Sequence, residues 1–131
     1  MVRVMVISSH NEVREGLCKV LQLAGGIEVT NGVADLRTAI QQARSGCPDV
    51  ALIDLDMLDF DGYETIRQLK RLYPSTKSIA LTAHDYPAVK EKALEAGAFS
   101  VMVKGLDVST MVEAIQAATG INRNFSKEVL P

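Results

Sequence analysis

Short apolar runs alternate along this chain with stretches in which apolar side chains recur every three or four positions. Val2–Ile7 is dense in β-branched residues and stops at Ser8-Ser9, a strand pattern. Val13, Leu17, Val20, Leu21 and Ala24 then repeat at helical spacing until Gly25-Gly26. Ile27–Thr30 predicts a short second strand. Asp35 is placed to cap a helix with the stripe Leu36, Ala39, Ile40 and Ala43, stopped by Gly46 and Pro48. Val50–Ile53 is an unbroken apolar run ending in Asp54. Asp61 with Glu64 reads as a capping pair for a helix carrying Ile66, Leu69 and Tyr73, closed by Pro74. Ser78–Leu81 ends at Thr82, and Pro87 opens a helix containing Val89, Ala93 and Ala96 that Gly97 terminates. Phe99–Val103 ends at Lys104, and Val108, Met111, Val112 and Ile115 form the clearest amphipathic stripe.

Continuous apolar strands separated by helices predict an α/β fold with a parallel sheet covered on both faces. Right-handed crossovers then give a doubly wound (βα)5 sandwich. There is no internal repeat and no low-complexity segment. A length of 131 residues suits one domain with one core. We place that domain at residues 1–119, with 120–131 as a linker or an extra helical turn.

Fourteen basic and sixteen acidic side chains give a net charge of −2, which argues against a nucleic-acid surface within the chain. Arg67, Lys70 and Arg71 read as a solvated helix face. Cys18 and Cys47 lack metal-ligand spacing and read as reduced, small apolar fillers. The first apolar run is too short for a signal peptide or a membrane span, so a cytoplasmic protein with no membrane association is expected.

In open parallel sheets, ligands bind beyond the carboxyl ends of the strands. Those positions hold Ser8, Ser9 and His10 after strand one, Asp54 after strand three, Thr82 and Ala83 after strand four, and Lys104 after strand five. A carboxylate can attack phosphorus and carry an aspartyl-phosphate. An ammonium and a hydroxyl can stabilise the added oxygens. Spacing alone leaves a second reading open, in which Asp54 and Lys104 are a structural pair beside a capping threonine.

The chain resembles the receiver domains of the CheY-like family, the phosphoacceptor half of two-component response regulators. The resemblance rests on Val-Arg-Val-Met-Val-Ile followed by His10, Val-Arg-Glu-Gly-Leu at 13–17, and Asp49–Gly62 with Asp-Gly at 61–62. It continues through Leu-Thr-Ala-His at 81–84, Ala-Leu-Glu-Ala-Gly-Ala at 93–98 and Val-Lys at 103–104. It implies a flavodoxin-like sheet of order 2-1-3-4-5. By resemblance, Asp54 is the phosphoacceptor, Thr82 the switch hydroxyl, Lys104 the phosphate contact, and the Asp56 backbone carbonyl a metal ligand. His10 is read as a loop residue and Asp61 as a helix cap.

The segment at 13–17 and the tail from Gly120 resemble the NarL/FixJ-type branch. That implies a linker toward a helix-turn-helix output domain outside this chain, and DNA contact only through that domain. The implied partners are a sensor histidine kinase or a small phosphodonor. A homodimer through the fourth helix, fifth strand and fifth helix is implied as well.

Some positions depart from the family's pattern. Strand one in this family normally ends in a pair of acids that bind Mg²⁺, and here those positions are Ser8 and Ser9. Neutral hydroxyls are poor substitutes around a hard dication. The resemblance therefore implies that Mg²⁺, held through Asp54 and Asp56, is bound weakly or not used, and that phosphorylation is slowed. With Asp54 and Lys104 as the only charged side chains counted, the site is formally neutral, which lets the two pair directly at rest. Leu58 replaces a usual proline and is expected to loosen the loop beside Asp54. Val101 replaces an aromatic switch residue, which alters the usual relay.

Three functions follow for weighing. The first is a working receiver; the second is a phosphorylation-independent receiver acting as a dimerisation or interaction module. The third, a small phosphatase, lacks a second carboxylate placed as general acid and lacks residues for a lid. The chain is thus read as a non-enzyme. A flavodoxin-type cofactor binder is disfavoured because the strand-one loop has no Ser/Thr/Gly run to cradle a phosphate.

Overall fold

A computed structural model of the chain describes residues 1–120. The elements run β1 (Val2–Ile7), α1 (Asn11–Leu23), β2 (Ile27–Val33), α2 (Leu36–Ser45), β3 (Val50–Asp54), α3 (Gly62–Leu72), β4 (Lys77–Thr82), α4 (Pro87–Ala96), β5 (Ser100–Val103) and α5 (Val108–Thr119). The strands form one five-stranded sheet, all neighbours parallel, in the order β2-β1-β3-β4-β5. This is the doubly wound (βα)5 arrangement that the alternation of strands and helices requires. The expected linker over 120–131 lies, beyond Gly120, outside the described residues. Among the described residues, no helix is long and apolar enough to cross a membrane.

The period of two along each strand divides the core. Val4, Val6, Val50, Leu52, Ile79, Leu81 and Met102 face Leu21 of α1 and Met111 and Ile115 of α5. Met5, Ile7, Ala51, Ile53 and Ala80 face Ala39 and Ala43 of α2, Ile66 and Leu69 of α3, and Ala93 and Ala96 of α4. All five residues of β3 are buried, because this central strand is covered on both sides. Burying one such Leu or Ile side chain contributes about 2–3 kcal/mol.

Helix starts follow the sequence signals. The Asp35 carboxylate accepts from the Thr38 amide at 2.8 Å, and Asp61 accepts from the amides of Tyr63 and Glu64. The expected capping pair is only half formed: Glu64 turns instead to Arg67 and Gln68. Gly97 ends α4 at φ +116°, a conformation that glycine adopts without a steric penalty.

Strand β2 runs three residues beyond the expected Thr30, to Val33. A bulge explains the difference. Val4 pairs with Val29 but Met5 pairs with Asn31, so Thr30 is an extra residue in the ladder. The bulge and the polar Asn31-Gly32 conceal the strand's alternation. Strand β5 begins at Ser100 rather than at Phe99, whose side chain stays exposed.

Candidate functional site

The register aligns the strand ends. Ile7 pairs with Ile53, Asp54 with Leu81, and Thr82 with Val103. The ladder continues past the strands through Leu55 N–H to the Leu81 carbonyl and Lys104 N–H to the Thr82 carbonyl, each at 2.8 Å. Ser8, Asp54 and Lys104 share the strand parity of the α1/α5 face, while Thr82 follows Ala80 toward the opposite face.

Asp54 is fully buried, and both of its carboxylate oxygens are engaged. Oδ1 receives Lys104 Nζ at 2.7 Å and the Asp56 amide at 2.9 Å. Oδ2 receives the Ser8 hydroxyl at 2.8 Å. Asp54 and Lys104 therefore pair directly, as the sequence led us to expect.

The charge count needs correction. Asp56 was counted only through its carbonyl, yet its side chain is a full member of the site. Oδ1 accepts from the Thr82 hydroxyl at 2.9 Å, and Oδ2 from the Ala83 amide at 2.7 Å and Lys104 Nζ at 3.1 Å. Two carboxylates around one ammonium leave one net negative charge, not a neutral set. The sequence did carry a signal for this. Asp56 lies two residues beyond Asp54, the same parity in an extended chain.

Burial opposes the charge of Asp56, but the hydrogen bonds from Ala83, Thr82 and Lys104 outweigh it and hold the carboxyl below its ordinary range. Burial also opposes the charge of Lys104, and the two carboxylates overcome it, raising the ammonium's pKa. A second carboxylate is thus present, contrary to the argument used against a phosphatase. Being held ionised at neutral pH, it is not a proton donor and does not supply a phosphatase with its general acid.

The neighbouring loops tie down this centre. The Ser9 hydroxyl donates to Asp59 at 2.7 Å, and the Ser9 amide contacts Met57 Sδ at 3.1 Å. Arg14 Nη1 donates to the Ser8 carbonyl at 2.7 Å. The loop beside Asp54 is anchored at Asp56, Met57 and Asp59 despite Leu58, whose side chain is fully exposed. His10 is the N-cap residue of α1, and its Nε2 lies 3.3 Å from the Asp56 carbonyl. Asp61 caps α3 through two amides, as expected. Val101 is half-buried against the α2–α4 side of the core.

The donors present fit a divalent cation poorly. Among the described residues, Asp54 is the single buried carboxylate, and its oxygens already serve three donors. The Asp56 carbonyl faces His10, and Ser8 spends its proton on Asp54. Among the described residues, no group of three or more His, Cys, Asp or Glu side chains is arranged to hold a metal.

The profile of the response regulator receiver domain matches residues 4–116. The chain belongs to the response regulator receiver domain family. It is 32% identical over 129 residues to the response regulator GacA of Pseudomonas viridiflava, covering 98% of this chain and 60% of that protein. The chain therefore spans about 60% of the length of such curated relatives. The signal receiver domain of NarL from Mycobacterium tuberculosis superposes with a TM-score of 0.82 at 32% identity, covering 91% of this chain and 97% of that domain. A LuxR-family two-component response regulator from Aurantimonas sp. SI85-9A1 gives 0.81 at 27% identity, covering 100% of this chain and 99% of that one. The CheY-like sheet order stands, and the NarL/FixJ-type resemblance is supported by similarity to NarL and LuxR-family receivers.

Proposed function

We propose that this receiver domain takes a phosphoryl group on Asp54 and passes the signal to an attached transcriptional output domain. The observation that carries the reading is a buried carboxylate at the strand ends with Lys104 Nζ 2.7 Å from it. An Asp54 oxygen attacks phosphorus, the bond from phosphorus to the donor's leaving group breaks, and that group departs with the bonding electrons. Lys104 offsets the added negative charge, and Thr82 donates its hydroxyl to a phosphoryl oxygen. The donor is a sensor histidine kinase or a small acyl phosphate. Because Thr82, Asp54 and Lys104 are all in hydrogen-bonding contact with the site, this reading is favoured over a phosphorylation-independent one.

Receiver domains of this family generally use Mg²⁺. In this chain we expect the ion to bind weakly, since Ser8 and Ser9 stand where the family resemblance calls for acids. The exposed apolar side chains Leu94, Leu106 and Val108 on α4, before α5 and at its start support dimerisation through the α4-β5-α5 face.

Incubation with acetyl phosphate, followed by intact mass, tests the reading. The wild-type chain should gain one phosphate and the Asp54→Asn variant none. Mg²⁺ should raise the rate by less than about tenfold, a difference under about 1.4 kcal/mol in the barrier. An adduct that persists in Asp54→Asn removes Asp54 from its role.

A further inference from the structure

The carboxylate of Asp56 meets three donors at once: the Thr82 hydroxyl, the Ala83 amide and the Lys104 ammonium. Neighbouring Asp54 uses other donors, the Ser8 hydroxyl and the Asp56 amide, and shares only Lys104. Lys104 Nζ thus lies between two oxygens, 2.7 Å from Asp54 and 3.1 Å from Asp56. The oxygens of a phosphoryl group on Asp54 would compete for hydrogen-bond donors at this strand-end site, and these three are in use.

We propose that the Asp56 side chain is an internal anion seated in the phosphoryl-oxygen subsite formed by Thr82, Ala83 and Lys104, and that it sets how readily a phosphoryl group enters. This rests on the reading of Asp54 as acceptor. Two charged oxygens satisfied by three donors imitate two of the oxygens of a bound phosphoryl group, so the Thr82 hydroxyl is already drawn inward at rest. The His84 amide donates to the same hydroxyl oxygen at 3.0 Å, which links the seat to the loop leading into α4. An entering phosphoryl group must displace the Asp56 carboxylate and also meets its negative charge.

Displacement has a route. Asp56 belongs to the 55–61 loop, outside the sheet ladder, and its side chain is 17% exposed where Asp54 has no exposure. Rotation of one side chain toward solvent frees all three donors without moving a strand. The position is therefore a gate on the modification, not a catalytic residue. It raises the cost of entry and keeps the unmodified site ordered.

The test uses the chain with acetyl phosphate as probe, in wild type, Asp56→Ala and Asp56→Asn. The adduct should form at least tenfold faster in Asp56→Ala, with Asp56→Asn between the two. Rates equal to or below wild type in both variants overturn the proposal. Amide NMR of Ala83 gives a second readout that needs no phosphoryl transfer. In wild type its proton should lie well downfield and move when Asp56 is protonated in acid, and the downfield shift should vanish in Asp56→Ala. If no variant forms an adduct, the acceptor reading of Asp54 fails, and this NMR shift alone decides whether Asp56 holds the seat. An Ala83 proton that is indifferent to the substitution and to acid overturns the proposal.

Discussion

Hydrogen-bond donors, more than charges, decide what each carboxylate can do at this site. Asp54 and Asp56 each receive three donors and share the Lys104 ammonium. Removing that ammonium in Lys104→Met would leave two carboxylates facing each other, and like charges raise the pKa of such a pair. The wild-type signs run the other way. Asp56 titrates below its ordinary value of 3.8, so its contribution is present above that value and is lost as pH falls through the folded pKa. Lys104 titrates above 10.5, so its contribution is complete below that value and is lost as pH rises through the folded pKa. Urea denaturation should show wild-type stability nearly flat between about pH 5 and pH 9. Lys104→Met should be less stable by about 2 kcal/mol at neutral pH, allowing for partial exposure of the lysine, and should recover on acidification toward about pH 4. Asp54, Thr82 and Lys104 were legible in the sequence because each ends an apolar strand run. The Asp56 side chain was legible only in part, because parity with Asp54 points it to the same face but the loop past the strand end does not hold that period.

Helix α3 starts directly against the strand end that carries Asp54. Gly62 begins the helix, and a Cβ there would lie 2.9 Å from the Asp54 carbonyl oxygen and 2.9 Å from Leu55 Cδ2. The absent side chain lets α3 press against the end of β3. Gly62→Ala should destabilise the domain by about 1–3 kcal/mol and displace the loop carrying Asp56. Thermal melting checks the first effect, and the Ala83 amide resonance checks the second. An unchanged melting temperature would show that α3 can back away without cost. Gly62 could be read as part of an Asp-Gly start to a helix, but the backbone it approaches is visible only in three dimensions. Strand β2 shows a similar limit: its bulge at Thr30 breaks the period of two that the eye follows.

For the whole molecule, the sheet is a rigid frame and the strand-end loops carry the chemistry. The two apolar faces keep β1, β3, β4 and β5 in register, which sets Ser8 beside Asp54 and Lys104 two residues past Met102, the β5 residue level with Asp54. A phosphoryl group on Asp54, as proposed, would act by biasing an equilibrium of the strand-end loops, which lie outside the strands. The fold was legible because the strands are continuous and apolar and nearly every helix has a cap or stop signal. The order of the strands came from family resemblance, since crossover handedness alone permits more than one order. The central claim concerns which carboxylate takes the phosphoryl group, and borohydride reduction of the acetyl phosphate product tests it most directly. Reduction converts a phosphorylated aspartate to homoserine, which peptide mass spectrometry then locates in the chain. Homoserine at position 54 is the predicted result; homoserine at Asp56 or Asp59, or none at all, would contradict the account.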